Sequence, residues 1–131
     1  MKWKTKNEDK SVIPWIATLT ILCVITLSVA MYCVRTERRI SFSVEKAIDL
    51  INREDADGAM EQAKFLEAYD GSPRTEKAVQ YIKYAAATIY EAQGNTEKAL
   101  ELYDELGYYH DSMNRRLNIL VNEKLMGIED P

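Results

Sequence analysis

Two kinds of apolar patterning divide the chain. Between Ser11 and Val34 there is no charged residue, and apolar side chains dominate the run. From Ser41 onward apolar residues recur at three- and four-residue steps among charged ones, with no alternating β-type run. A bilayer core of roughly 30 Å is crossed by about 20 apolar helical residues, so the first pattern predicts a transmembrane helix over 11–34. The second predicts amphipathic helices, because residues three and four apart share one face. The expected fold class is all-α.

The ends of the apolar run carry the expected markers. Trp15 and Tyr32 stand near its two ends, with Lys10 and Arg35 just outside, as interfacial aromatics and flanking cations do in membrane spans. Pro14 is expected in the first turn, where a missing N–H costs nothing. Thr18, Thr20, Thr26 and Ser28 can bond back to the helix's own carbonyls. A cleaved signal peptide would have a shorter apolar core and a small residue before its cleavage point; Tyr32 precedes Cys33 here. A buried core helix of this length without charge would be odd in so small a protein. Residues 1–10 then form a basic tail, 35–43 a juxtamembrane linker, 44–126 a helical domain, and 127–131 a frayed tail.

Within the domain, turn residues separate about five helices. Val44–Arg53 places Ala47, Ile48 and Ile51 on one face. Asp55–Asp57 with Gly58 opens a second helix bearing Ala59, Met60, Ala63, Leu66 and Tyr69, which Asp70-Gly71-Ser72-Pro73 ends. A third, from near Arg74, carries Val79, Ile82, Ala86, Ile89 and Tyr90 and closes at Gly94-Asn95. Thr96 opens a fourth with Ala99, Leu102, Tyr103 and Leu106 as its buried edge. Asp111 or Ser112 can cap a fifth, whose stripe is Met113, Leu117, Leu120, Val121 and Leu125.

An offset of forty residues lays one half of the domain over the other. Ala47 falls on Ala87, Leu50 on Tyr90, Ala59 on Ala99, Ala63 on Tyr103 and Leu66 on Leu106. That is the signature of two copies of a helix–turn–helix unit. In the second copy, Ala87, Tyr90, Gly94, Ala99 and Tyr103 have the spacing small–aromatic–glycine–small–aromatic, and the segment Ala87–Tyr103 resembles a tetratricopeptide repeat. Ala87 and Ala99 would let antiparallel helices approach, Tyr90 and Tyr103 would fill the gap to neighbours, and Gly94 would permit the turn. The following Leu106–Ser112 resembles the linker of a degenerate form of these repeats associated with bacterial membrane-anchored proteins; Tyr109, Asp111 and Ser112 match it, while Tyr108 and His110 depart. The second copy lacks the family's aromatic before Ala87 and its closing proline. The resemblance implies a short tetratricopeptide-like hairpin array with a C-terminal capping helix; a plain helical bundle is the alternative.

Charge sharpens the division. Residues 41–131 hold 10 Lys+Arg and 18 Asp+Glu, a net of −8, whereas the first forty hold 7 and 3, a net of +4. Cations flanking the apolar run suit anionic headgroups. The acidic domain argues against nucleic acid, whose phosphates need a basic surface. Cations before and after the run balance, so orientation rests on the short Lys-bearing tail, which favours an extracytoplasmic C-terminal domain. Cys23 and Cys33 both lie in the apolar run, so the domain has neither a disulfide framework nor cysteine metal ligands.

Catalytic equipment is not evident. His110 is the sole histidine and stands without a nucleophile or second ligand, reading as a loop residue beside a cap. Asp55, Asp57 and Gly58 suggest a calcium loop only until the ligands that should follow prove to be Ala59, Met60 and Ala63. Glu101, Asp104 and Glu105 read as a solvated face with Lys98 nearby. Gly94 has no phosphate-loop context. No enzyme activity, metal or cofactor is therefore expected.

The tetratricopeptide resemblance implies that the exposed face of each repeat's first helix binds protein. On the third helix that face would hold Tyr81, Tyr84, Thr88 and Glu91; the alternative is that Tyr81 and Tyr84 cover the first hairpin or the stretch Glu67–Pro73. The expected partners are one or more proteins, the lipid bilayer through residues 11–34, and a second copy in a homo-oligomer, since two repeats and a cap make a small core. The expected function is a membrane-anchored scaffold for protein–protein interaction. Two others compete: an accessory subunit whose transmembrane helix packs within a larger membrane complex, and a secreted helical protein with a cleaved leader.

Overall fold

The computed structural model describes residues 4–129, with side chains described from 12 to 127. All of the regular structure among these residues is helical: α1 (Lys4–Asn52), α2 (Ala56–Tyr69), α3 (Pro73–Ala92), α4 (Thr96–Leu106) and α5 (Ser112–Glu129). The chain divides into two units, Met1–Arg39 and Ile40–Pro131.

The first unit is the apolar part of α1. It is long and apolar enough to cross a membrane, and its most apolar stretch is not buried anywhere within the protein. A signal sequence has the same features. The hydroxyls behave as expected: Thr18 Oγ1 donates to Pro14 O at 2.6 Å, Thr20 to Ile16 O at 2.7 Å, Thr26 to Cys23 O at 2.9 Å and Ser28 to Val24 O at 2.7 Å. Each polar group is thereby paired inside its own helix, the condition for residence in hydrocarbon. Cys23 and Cys33 are free thiols on its surface.

Three expectations for α1 need correction. Pro14 lies inside the helix rather than in its first turn, because α1 already begins at Lys4. Residues 35–43, expected as a juxtamembrane linker, are helical: Thr-Glu-Arg-Arg-Ile-Ser-Phe-Ser, from 36 to 43, contains no glycine or proline to end a helix. The helix expected to start at Val44 is accordingly the last part of α1. Of the basic tail 1–10, residues 1–3 and all the side chains lie outside the described residues; likewise, of the tail 127–131, helix runs to Glu129 and the last two residues lie outside.

The second unit is built from closely approaching helices. One cluster joins Ala47 of α1, Ala59, Ala63 and Leu66 of α2, and Val79 and Ile82 of α3. The other joins Ala56 of α2, Ala86, Ala87 and Tyr90 of α3, Ala99, Leu102 and Tyr103 of α4, and Ile119 of α5. Ala47, Ala59, Ala63, Ala86, Ala87 and Ala99 have no accessible surface. Methyl side chains at the crossings let backbones approach, and the larger Leu66, Ile82 and Tyr103 fill the space beside them.

The two hairpin turns repeat one another bond for bond at the forty-residue offset. Asp55 N donates to Leu50 O at 2.9 Å and Asn95 N to Tyr90 O at 2.8 Å; Glu54 N donates to Ile51 O at 3.0 Å and Gly94 N to Glu91 O at 3.1 Å. Glu54 (φ 58°) and Gly94 (φ 78°) are both left-handed. Asp55 and Asn95 then cap α2 and α4, their side-chain oxygens accepting from Gly58 N at 2.9 Å and Lys98 N at 3.4 Å. Such caps satisfy amides that a helix start leaves free. α3 starts differently: Ser72 caps Thr75 N, Pro73 occupies the first turn, and Asp70 accepts from the Ser72 and Thr75 hydroxyls at 2.7 and 2.8 Å.

Candidate functional site

The four residues proposed for the binding face of α3 meet different fates. Tyr81 is half exposed, at 51%. Thr88 is partly buried and its hydroxyl donates to Ala85 O at 2.7 Å. Tyr84 and Glu91 are partly buried and are engaged by the start of α5 and the loop before it. The Tyr84 hydroxyl donates to Asp111, and its ring meets Tyr109 edge-on at 5.9 Å and His110 at 5.3 Å between centroids. Tyr84 is therefore covered in part by the α4–α5 loop, and it also packs against the cluster that holds Ala56 of α2.

Glu91 is the hub of a continuous polar network. Its Oε2 accepts from Tyr103 Oη at 2.7 Å and from an Arg115 amine at 2.9 Å, while Arg115 Nε donates to Asp111 Oδ2 at 3.1 Å. Arg115 is the one cation of the network and is shared between the two carboxylates, Glu91 and Asp111. Burial, then the hydrogen bond to Glu91, pushes the Tyr103 hydroxyl well above the usual phenol range. The Tyr84 hydroxyl is also raised, first by its bond to Asp111. Asp111 is lowered, by Tyr84 first and Arg115 next, and Arg115 is raised by its bond to Glu91. Phenols held protonated are hydrogen-bond donors at neutral pH, not bases, so this network positions α5 and shapes a surface.

The residues that carry the resemblance to a repeat are largely buried, Gly94 in its turn apart. Ala87, Ala99 and Tyr103 have no exposure, and Tyr90 is buried at 5%. Tyr90 Oη donates to Asp57 Oδ1 at 2.5 Å, and Lys98 Nζ lies 2.8 Å from the same oxygen and 4.9 Å from the Tyr90 ring centre. Burial and the bond to Asp57 raise the Tyr90 hydroxyl. Asp57 is lowered, chiefly by Lys98. Asp57 and Lys98 thus tie α2 to α4 across the two hairpins.

Glu101, Asp104 and Glu105 of α4 are all exposed, as a solvated face requires, while Lys98 turns to Asp57. Asp104 pairs with Arg116 of α5 at 3.0 Å, and Glu105 pairs with Lys83 of α3 at 2.5 Å. Lys83, nearly buried, also meets Glu67 of α2 at 2.6 Å. It forms the floor of a cleft of about 320 Å³ between α2, α3 and α4, with Asp70, Thr75, Glu76 and Val79 in its walls. Its ammonium and the Asp70 carboxylate are both satisfied internally. Among the described residues no group of His, Cys, Asp and Glu side chains could hold a metal ion. His110 sits at a left-handed φ of 49° in the α4–α5 loop, edge-on to Tyr109 at 4.4 Å.

Sequence reasoning missed the partners of this face. Asp111 is expected from the sequence only as a cap, Asp57 only in the turn before α2, Lys98 only beside the carboxylates of α4, and Arg115 in no role; their bonds span 24 to 41 residues, beyond the reach of local spacing. Comparison of the chain with family models, with curated proteins and with solved structures gives no match.

Proposed function

We propose that the chain is a membrane-anchored, non-enzymatic module for protein–protein interaction, built from two tetratricopeptide-like hairpins and the capping helix α5. One observation carries the reading: the turns at 50–59 and 90–99 share their backbone hydrogen bonds, their left-handed residue and their caps at an offset of forty. A chain that stacks one hairpin unit twice has the architecture of a short helical repeat array, and such arrays work through extended surfaces rather than enclosed sites. The apolar stretch of α1 is the anchor, and the acidic domain lies on the extracytoplasmic side.

The partner rests on the outer face of α3. Tyr81 is its free aromatic anchor, an amphipathic ring of the kind that dominates contact surfaces. Tyr84 and Glu91 serve that face indirectly, by fixing α5 and the α4–α5 loop along its edge. The test is substitution of Tyr81 by Ala in the full chain, followed by affinity purification from detergent-solubilised membranes. Expected is loss of a specific co-purifying protein with unchanged helicity. Co-purification that survives both Tyr81→Ala and Thr88→Arg would overturn the assignment of the face.

A further inference from the structure

The helix α5 is fastened to the domain more by charge than by apolar contact. Among its described residues only Ser112, with no exposure, and Ile119, at 6%, are buried. Every residue from Leu120 to Gly127 is exposed, and the apolar stripe expected on this helix, Leu117, Leu120, Val121 and Leu125, stays open. The grip is polar instead. Arg115 reaches Glu91 of α3 and Asp111, Arg116 reaches Asp104 of α4, and Asp111 accepts from the Tyr84 hydroxyl. These pairs are partly open to water, the side chains of Arg115 and Glu91 being 36% and 31% exposed and that of Asp104 66%. Solvent and salt weaken ion pairs in such settings.

Two further features favour release. The Ser112 hydroxyl is buried and has no hydrogen-bond partner among the described residues; a hydroxyl in that position gains a bond once water reaches it. The loop Gly107–Asp111, which carries α5 away from α4, holds two left-handed residues, Gly107 at φ 58° and His110 at φ 49°. The second of these is a conformation that a residue with a side chain rarely adopts.

What α5 engages is the face of α3 on which the partner is placed above. Tyr81, Tyr84, Thr88 and Glu91 follow one another at steps of three and four residues, so they share one side of α3. In the closed arrangement the Tyr84 hydroxyl is spent on Asp111 and a Glu91 oxygen on Arg115. We infer that α5 is a releasable strap on that face: closed, it occupies Tyr84 and Glu91, and open, it frees them to extend the surface of Tyr81 and Thr88. Elements with few buried apolar contacts open locally, without unfolding of the rest. The cluster of α1, α2 and α3, where Ala47, Ala59, Ala63, Leu66, Val79 and Ile82 are all buried, stays closed meanwhile. The consequence for partner binding rests on the reading of α3 as the binding face. Opening of the strap does not, and it is measured without a partner.

The experiment uses the full chain with Cys23→Ala and Cys33→Ala in detergent micelles, carrying one buried thiol at a time. Ser112→Cys reports release of α5 and sacrifices no hydrogen bond. Val79→Cys, at 4% exposure in the cluster of α1, α2 and α3, reports opening of the domain as a whole. A water-soluble thiol reagent under native conditions should label position 112 about a hundredfold faster than position 79. Adding Arg115→Gln should speed labelling at 112 about tenfold and leave position 79 unchanged. If Arg115→Gln lowers helicity, Arg116→Gln replaces it under the same criterion. Ile119→Cys, a second probe on α5, should rank with position 112. Equal rates at 112 and 79, a rate at 112 indifferent to the arginine substitution, or position 119 ranking with 79 would each overturn the inference. Photo-crosslinking from position 81 in intact cells should rise when Arg115→Gln is added. Faster labelling at 112 without that rise would overturn the strap's control of the face. No crosslinking at 81 in either chain would instead contradict the binding face itself, with the labelling rates still deciding whether α5 opens.

Discussion

Glu54 and Gly94 occupy the same place in two copies of one turn, and they should respond to substitution in opposite directions. Both residues are left-handed, at φ 58° and 78°. Placing a side chain in that region costs about 1–2 kcal/mol, a cost that glycine escapes. Glycine has its own cost, about 0.5–1 kcal/mol of extra unfolded-state freedom. Glu54→Gly therefore removes strain and should stabilise the domain by about 0.5–1 kcal/mol. The Glu54 side chain is exposed, and the bond that the residue does make, from Gln93 Nε2 at 3.0 Å, goes to its backbone oxygen and survives the change. Gly94→Ala should destabilise by about 1 kcal/mol, and from the backbone alone: a Cβ there meets no atom within 4 Å. For a domain of this size 1 kcal/mol moves the melting temperature by about 4–8 °C. Thermal melts of the full chain in detergent micelles, followed at 222 nm, read both. Shifts of the same sign in the two variants, or a neutral Gly94→Ala, would refute the equivalence of the turns.

Three further outcomes follow from the packing. Lys83 lies between Glu67 and Glu105, and burial, which pulls its ammonium down, is overcome by those two bonds, so its pKa is raised. Lys83→Ala should cost about 2 kcal/mol, while Lys83→Met, which keeps the buried stem, should cost less, as both carboxylates are half exposed and can turn to water; denaturant midpoints of the two variants check this. Stability should be flat near neutral pH and fall at both ends. Asp57, Asp70 and Asp111 are lowered from their ordinary 3.8, so what they contribute is present above that value and lost as pH falls below it. Tyr90 and Tyr103 are raised above their ordinary 10.0 and Lys83 above its ordinary 10.5, so their contributions are present below those values and lost as pH rises through them. Melting temperature against pH in Tyr90→Phe and Tyr103→Phe should show a shallower alkaline decline than in the parent; an equal decline would refute the assignment. The apolar stretch of α1 should remain on the mature protein and resist extraction from membranes at alkaline pH, whereas a mature N-terminus beyond Val34 would identify it as a cleaved leader.

Much of this fold was legible because its local rules agree. The turn at Asp70-Gly71-Ser72-Pro73, the turn at Gly94 and the paired alanines at 47 and 87 or 59 and 99 all fall where their chemistry places them, whereas Asn95, expected only to close α3, also caps α4. The tie between Tyr84 and Asp111 was not legible, because it depends on how far α5 swings over α3. Nor was the fate of the α5 stripe: periodicity shows which side of a helix is apolar, but only packing shows whether anything lies against it. Here the polar side won the contact, because Arg115 and Arg116 reach three carboxylates on α3, α4 and the loop between α4 and α5. The continuity of α1 through 35–43 was missed for a simpler reason. A charged stretch reads as a boundary between environments, yet nothing in it breaks a helix.

The central claim is that an anchored repeat domain holds a protein on the outer face of α3. It is tested most directly by placing a photo-reactive residue at position 81 of the full chain in intact cells, with position 64 on α2 as the control. A discrete crosslinked species at 81, absent at 64 and lost when Thr88→Arg is added, is the predicted result. Equal, diffuse crosslinking at both positions, or none at 81, would contradict it.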